Sequence, residues 1–197
     1  NDVESFWKLL VEGRDAVSDV PADRWNVERF YDPEPGIAGK SIAKRGGFLD
    51  QVDQFDPQFF GISPREAPYI DPQQRLLLET AWEAIEDAGV VLDLENGTDI
   101  GVFMGVSHTD YQHVQGGSLD RQGISSHSPT GNAHSIAANR ISYCFNLKGP
   151  SMSMDTACSS ALTAVHIAVE ELRQGRCKMA MAGGVTVMIT PDGFIGF

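Results

Sequence analysis

The sequence predicts an α/β layer fold with a mainly parallel sheet. Three observations predict it. A capped amphipathic helix pattern runs through residues 71–89. An apolar run bounded by turn residues, 98–106, reads as a buried strand. From there to the C-terminus helical and strand patterns alternate, which is the order of a parallel sheet covered by helices.

Taken in order, residues 1–13 read as a short amphipathic helix with Phe6, Leu9 and Leu10 on one side and Gly13 at its end. Residues 15–47 are rich in Pro, Gly and Asp and carry little periodicity. They read as a long irregular surface excursion pinned down by Trp25, Phe30 and Tyr31. In the next block Asp71 is a good N-cap, Pro72 fits the first helical position and Gln74 completes a capping box. Leu77, Ala81, Ile85 and Ala88 then form one buried stripe, Glu79, Glu83, Glu86 and Asp87 face elsewhere, and Gly89 stops the helix.

Beyond the strand at 98–106, residues 116–128 are polar and Gly-rich and read as a loop. A second helix is predicted over 130–145, carrying Ile136, Ala137, Ile141 and Cys144 inward, with Gly149 and Pro150 breaking it. "SMSMD" reads as a short strand, 158–174 as a third helix, and "KMAMAGGVTVMI" as a strand or two. No internal repeat is evident.

Composition narrows the function. With 197 residues the chain has the size of one ordinary domain or the larger part of one. It is 42% hydrophobic and 21% charged, a globular balance. The net charge of −12 disfavours nucleic acid and an anionic membrane surface as partners. No apolar run approaches the roughly 18 residues of a membrane span, and no signal peptide is visible. Cys144, Cys158 and Cys177 suit neither a disulfide framework nor a zinc site, so reduced thiols and a cytoplasmic location are expected. The chain opens without a methionine and stops just after a strand pattern; both ends are expected to be cut.

The chemistry centres on Cys158, at a strand-to-helix junction. The first turn of a helix offers unpaired N–H groups and a partial positive charge, which stabilise thiolates. The same N–H groups can hold a developing oxyanion on a thioester carbonyl. The following helix carries Ala161, Leu162, Ala164, Val165, Ile167, Ala168 and Val169, apolar on nearly every side, so it is expected to be buried all round with its first turn at the bottom of a cleft. Ala157, Ser159, Ser160 and Ala161 are small and leave room for a substrate carbonyl. The competing reading makes Cys158 a small buried hydrophobe, with Ser159 and Ser160 as helix-start residues satisfying N–H groups. The residues alone leave both open. Cys144 and Cys177 read as core thiols.

A nucleophile needs a base, and none of the five histidines supplies one. His166 lies eight residues along the helix, about 12 Å of rise and about 80° of rotation from the thiol. His134 reads as a partly buried, hydrogen-bonded histidine. His108, His113 and His127 read as solvated, and none has metal-site spacing.

"MDTACSSAL" resembles the active-site cysteine motif of β-ketoacyl synthase domains of the thiolase superfamily. "FWKLLVEGRDAVSDVPADRWNVERFYDPEPGIAGKS", "RGGFLDQVDQFDPQFFGISPREA", "DPQQRLLLETAWEAIEDAG" and "MAGGV" resemble the same group in the same order. That group is the ketosynthase domain of type I modular polyketide synthases. Pro68 and Ile70 depart slightly from its usual pattern.

The resemblance implies a thiolase-like layered α-β-α-β-α fold built from two similar halves. Residues 1–197 would be a partial ketosynthase domain holding most of the N-terminal half, without the first strand and the C-terminal half. It also implies an acyltransferase reaction. Cys158 takes an acyl group from an acyl carrier protein as a thioester. A malonyl-type extender on a second carrier loses CO2, and its carbanion attacks the acyl-cysteine to give a β-ketoacyl product. The Cys158 N–H would be one oxyanion donor, with a second from the other half. The family's two histidines and lysine would lie beyond Phe197, which accounts for the missing base.

No metal or bound organic cofactor is implied; acyl groups arrive on the phosphopantetheine arm of a carrier. The implied partners are carrier domains, neighbouring polyketide synthase domains and a second copy in a homodimer, with the helix from Thr130 and the strand near Met154 close to the dimer interface. The basic stretch Arg14, Arg24, Arg29, Lys40, Lys44 and Arg45 reads either as a docking face or as a solvated loop. Two alternatives remain beside condensation: a ketosynthase that transfers acyl groups without condensing them, and a structural half-domain that is inactive alone. A papain-like or redox cysteine enzyme is disfavoured, because no CxxC is present and no suitable His or Asn lies near.

Overall fold

The computed structural model describes residues 3–116 and 121–197. Its elements run α1 (Val3–Val11), β1 (Ser18–Asp19), α2 (Val27–Phe30), β2 (Arg45–Gly46), α3 (Pro72–Asp87), β3 (Ile100–Val106), α4 (Asp110–Gly116), α5 (Ser128–Asn132), α6 (His134–Cys144), β4 (Ser151–Met154), α7 (Ser160–Arg173), β5 (Met179–Val185) and α8 (Asp192–Gly196). The chain divides into two units, residues 1–50 with 188–197, and residues 51–187.

In the first unit α1 ends at Gly13 in a left-handed conformation, as its sequence predicts. Asn1 and Asp2 of the predicted helix lie outside the described residues. α1 buries no side chain; Phe6 and Leu10 stay exposed. The excursion after it is irregular apart from α2 and the antiparallel pair β1–β2, with Ser18 opposite Gly46 and Asp19 opposite Arg45. Trp25 packs edge-on against Phe48 and Phe194.

The basic side chains of this unit are engaged locally. Arg24 bonds the Leu49 carbonyl, Lys40 the Arg29 carbonyl, and Arg45 both Asp15 and Asp19. Arg14 pairs with Glu12, while Arg29 and Lys44 lie over the rings of Phe30 and Tyr31. That favours the loop reading of this stretch over the docking face.

The second unit holds a parallel sheet ordered β4-β3-β5 among the described residues, the α/β arrangement that the sequence predicts. β3 is buried along its whole length, as a central strand must be. α3 and α6 share an apolar core with it, built on Ile70, Leu78, Val102, Ala138 and Ile141. α7 packs Ala164 and Ala168 against Phe103 in a smaller cluster. "KMAMAGGVTVMI" forms one strand rather than two.

Three local expectations are corrected. Asp71 does cap α3 by accepting from the Gln73 N–H, but Gln74 does not close a capping box. The Asp71 N–H donates to the Gly131 carbonyl instead, and the Gln74 amide donates to the Gly131, Thr130 and Ala133 carbonyls. Ala88 is the exposed C-cap of α3, and Leu78 completes the buried stripe in its place.

The single helix predicted over 130–145 is two. Ala133 is extended (ψ 126°), and the carbonyls around the break are taken by Gln74 and Arg140, so tertiary donors replace helical ones. α6 then ends at Asn146 in a left-handed conformation, ahead of Gly149 and Pro150, with the Leu147 N–H closing onto the Ser142 carbonyl. Of the loop predicted at 116–128, residues 117–120 lie outside the described residues; a turn follows, closed by the Ile124 N–H on the Arg121 carbonyl.

Candidate active site

Cys158 sits in the connection from β4 to α7, exposed to solvent. α7 begins two residues later at Ser160 rather than at Cys158, so the thiol stands just ahead of the helix. Ala157, immediately before it, has φ +54°, the left-handed conformation that L side chains disfavour. A sharp turn between strand and helix is one way in which a fold exposes a nucleophile.

The turn is held by its own side chains. Asp155 Oδ1 accepts the Ala157 N–H at 2.9 Å. Ser160 Oγ accepts the Thr156 N–H at 2.9 Å and donates to the Ala157 carbonyl at 2.7 Å. Ser159 Oγ donates to the Thr156 carbonyl at 2.8 Å, and Thr156 Oγ1 meets Thr163 Oγ1 at 3.0 Å. The two serines therefore brace the turn rather than cap helical N–H groups; Ser159 makes no side-chain capping bond.

The sheet makes room for this start. A β-carbon on Gly105 would lie 2.6 Å from the Ser160 carbonyl carbon, and one on Gly184 would lie 2.7 Å from the Ala161 β-carbon. Glycine in these strands therefore serves the close approach of a helix.

α7 is not buried all round, as its composition had suggested. Its buried residues, Ser160, Ala164, Ala168 and Glu171, form a single face. Leu162 is 77% exposed, and Val165, Val169 and Leu172 are exposed as well. The apolar excess of α7 therefore lies on a face that nothing among the described residues covers.

His166 is exposed on α7. His134 Nε2 lies 3.1 Å from the His108 carbonyl, the hydrogen-bonded role expected of it. His108 and His127 are half-buried rather than solvated: the His108 Nδ1 is buried without a partner, and His127 tilts against Tyr69. Burial pushes the thiols of Cys144 and Cys177 up, consistent with inert core roles. Among the described residues no group of three or more His, Cys, Asp or Glu side chains could hold a metal ion, and no helix is long and apolar enough to cross a membrane.

Pro68 and Ile70 have plain structural roles. The Pro68 carbonyl accepts from the Tyr111 hydroxyl and from Gln115, while Ile70 is fully buried in the core.

Comparison with known proteins places this arrangement in a class. The model of the β-ketoacyl synthase N-terminal domain matches residues 1–197, and the chain belongs to that family. It is 52% identical over 195 residues to the spectinabilin polyketide synthase system protein NorC of Streptomyces orinoci, covering 98% of this chain and 8% of that protein. Among solved structures it resembles the oxazolomycin ketosynthase domain OzmH KS7 of Streptomyces albus JA3453 (TM-score 0.89, 43% identity, 100% of this chain and 34% of that one).

It also resembles the ketosynthase from module 6 of the bacillaene synthase of Bacillus subtilis 168, solved as a cysteine-to-serine mutant (TM-score 0.85, 37% identity, 98% of this chain and 31% of that one). The fold is thus the thiolase-like α/β fold of polyketide synthase ketosynthases. The chain spans about a third of the solved domains' length and far less of the curated relative's.

Proposed function

We propose that this chain is the nucleophile-bearing portion of a condensing ketosynthase, with Cys158 as the residue that carries the acyl group. The observation that carries the reading is the exposed thiol behind a left-handed Ala157, ahead of a helix start, in a chain whose whole length matches the ketosynthase family. In the proposed reaction the Cys158 sulfur attacks the carbonyl of an acyl thioester on a carrier protein. The carrier's thiol leaves with the proton, and the acyl group stays on Cys158. A malonyl-type thioester on a second carrier then loses CO2. Its carbanion attacks the acyl-cysteine carbonyl, the new carbon–carbon bond forms, and the Cys158 thiolate is released. The backbone N–H of Cys158 is proposed as one donor to the tetrahedral oxyanion.

The same reading assigns the partners. Acyl groups arrive on the phosphopantetheine arm of carrier domains, neighbouring polyketide synthase domains surround the ketosynthase in its parent protein, and the domain pairs with a second copy. β4 is an edge strand of the described sheet with Met152 exposed on it, which supports pairing along that edge. No resident metal or organic cofactor takes part, and the domain works in the cytoplasm. Transfer without condensation uses the same thiol and differs only in the fate of the acyl group once it is bound there.

The test compares the complete parent domain with its Cys158→Ala variant, supplied with acyl and malonyl carriers. Loss of the β-ketoacyl product in the variant is expected. A variant that still condenses at the wild-type rate overturns the assignment.

A further inference from the structure

We infer that Ala157 and Ser160 are positioning residues, which hold Cys158 in its reactive orientation at a cost to the fold; the inference rests on the reading of Cys158 as the acyl-carrying residue. An L residue at φ +54° is strained, and glycine would adopt the same conformation without that strain. A Cβ at this position also narrows the conformations open to the turn, so alanine trades stability for rigidity.

The conformation persists because it is over-determined. The Asp155 carboxylate takes the Ala157 N–H on one side of the residue. On the other side, the Ala157 carbonyl accepts from both the Ser160 N–H and the Ser160 hydroxyl. The same hydroxyl accepts from the Thr156 N–H, so one buried side chain ties the Asp155–Thr156 peptide to the Ala157–Cys158 peptide. Ser160 is itself fixed by the sheet, because its backbone lies against Gly105. A latch anchored on the sheet thus sets the direction in which the neighbouring thiol points.

A residue serving only the fold would lose stability and reactivity together when replaced. A positioning residue under strain separates them. The experiment measures two quantities for the complete parent domain in its wild-type, Ala157→Gly and Ser160→Ala forms: the urea midpoint, and the rate at which a butyryl thioester of N-acetylcysteamine acylates Cys158, followed by mass spectrometry.

Ala157→Gly is expected to keep or raise the midpoint while acylation slows about fivefold or more, since small displacements of a reacting group are costly. Ser160→Ala, compared at equal folded fraction, is expected to slow acylation by a similar factor. Acylation of Ala157→Gly at or above the wild-type rate overturns the inference, and so does a fall in rate that merely accompanies a fall in midpoint. If wild-type Cys158 is not acylated at all, the underlying reading of the thiol fails instead.

Discussion

Gly105 and Gly184 stand side by side in register on neighbouring parallel strands, and both lie under the first turn of α7. The absence of two side chains lets that turn settle onto the sheet, with Cys158 just ahead of it. Replacing Gly105 by Ala would put a β-carbon 2.6 Å from the Ser160 carbonyl carbon, a backbone atom that cannot swing aside. Overpacking of this kind costs about 1–3 kcal/mol. A lowered urea midpoint is expected for Gly105→Ala, beside a near-neutral Gly47→Ala, where a β-carbon meets open space. Equal midpoints for the two variants would contradict the packing described.

The break between α5 and α6 depends on Arg140. Its guanidinium meets Glu66 Oε1 at 2.9 Å, Gln74 Oε1 at 2.8 Å and the Thr130 carbonyl at 3.2 Å. A lysine ammonium cannot span three acceptors with a planar fork. Arg140→Lys is therefore expected to lose about 1–3 kcal/mol in urea unfolding, because partly buried acceptors lose their donors. A loss no larger than that of a solvent-exposed control, Arg173→Lys, would show that the network contributes little.

Asp71 gives stability a pH dependence with a definite sign. Burial pushes its carboxyl above the ordinary range, outweighing the hydrogen bonds from Gln73 and the attraction of His134 and Arg75. The folded state then holds the proton more tightly than the unfolded one. The stability gained from this group is full below the unfolded value of about 3.9 and declines as pH rises through the higher folded value. The unfolding free energy of the wild type minus that of Asp71→Asn should therefore fall as pH rises above the unfolded value of about 3.9. A difference that grows with pH would mean that the capping bonds, and not burial, dominate.

The sequence carried the large features through strong local signals. Asp71, Pro72 and Gly89 bracket α3 by their backbone chemistry, and an unbroken apolar run made β3 a central strand. Features set by distant partners were not legible. The break at Ala133 follows from Gln74, some sixty residues away, which uses its amide on those carbonyls. The left-handed Ala157 had no glycine to announce it. Gly105 and Gly184 inside strand patterns were the available signal for a close helix, and they point to the α7 start only once register is known. Helix composition misled about α7, because apolar residues on every side specify burial without saying whether this chain supplies the cover.

The isolated chain is expected to accept acyl groups without condensing them. His166 is exposed on α7, His134 is hydrogen-bonded to the His108 carbonyl, and His127 tilts against Tyr69. Given a butyryl thioester and malonyl carrier protein, the 197-residue chain should yield no β-ketoacyl product. Detection of that product by mass spectrometry would contradict this account of the division of labour.

The most direct measurement is peptide-mapped acylation of the chain by a butyryl thioester. Three thiols compete under identical conditions: exposed Cys158, half-buried Cys144 and buried Cys177. The acyl mass is expected on the peptide containing Cys158, none on the other two, and none on Cys158→Ala. Equal acylation of Cys158→Ala, or label on Cys144 or Cys177 in preference to Cys158, would contradict it.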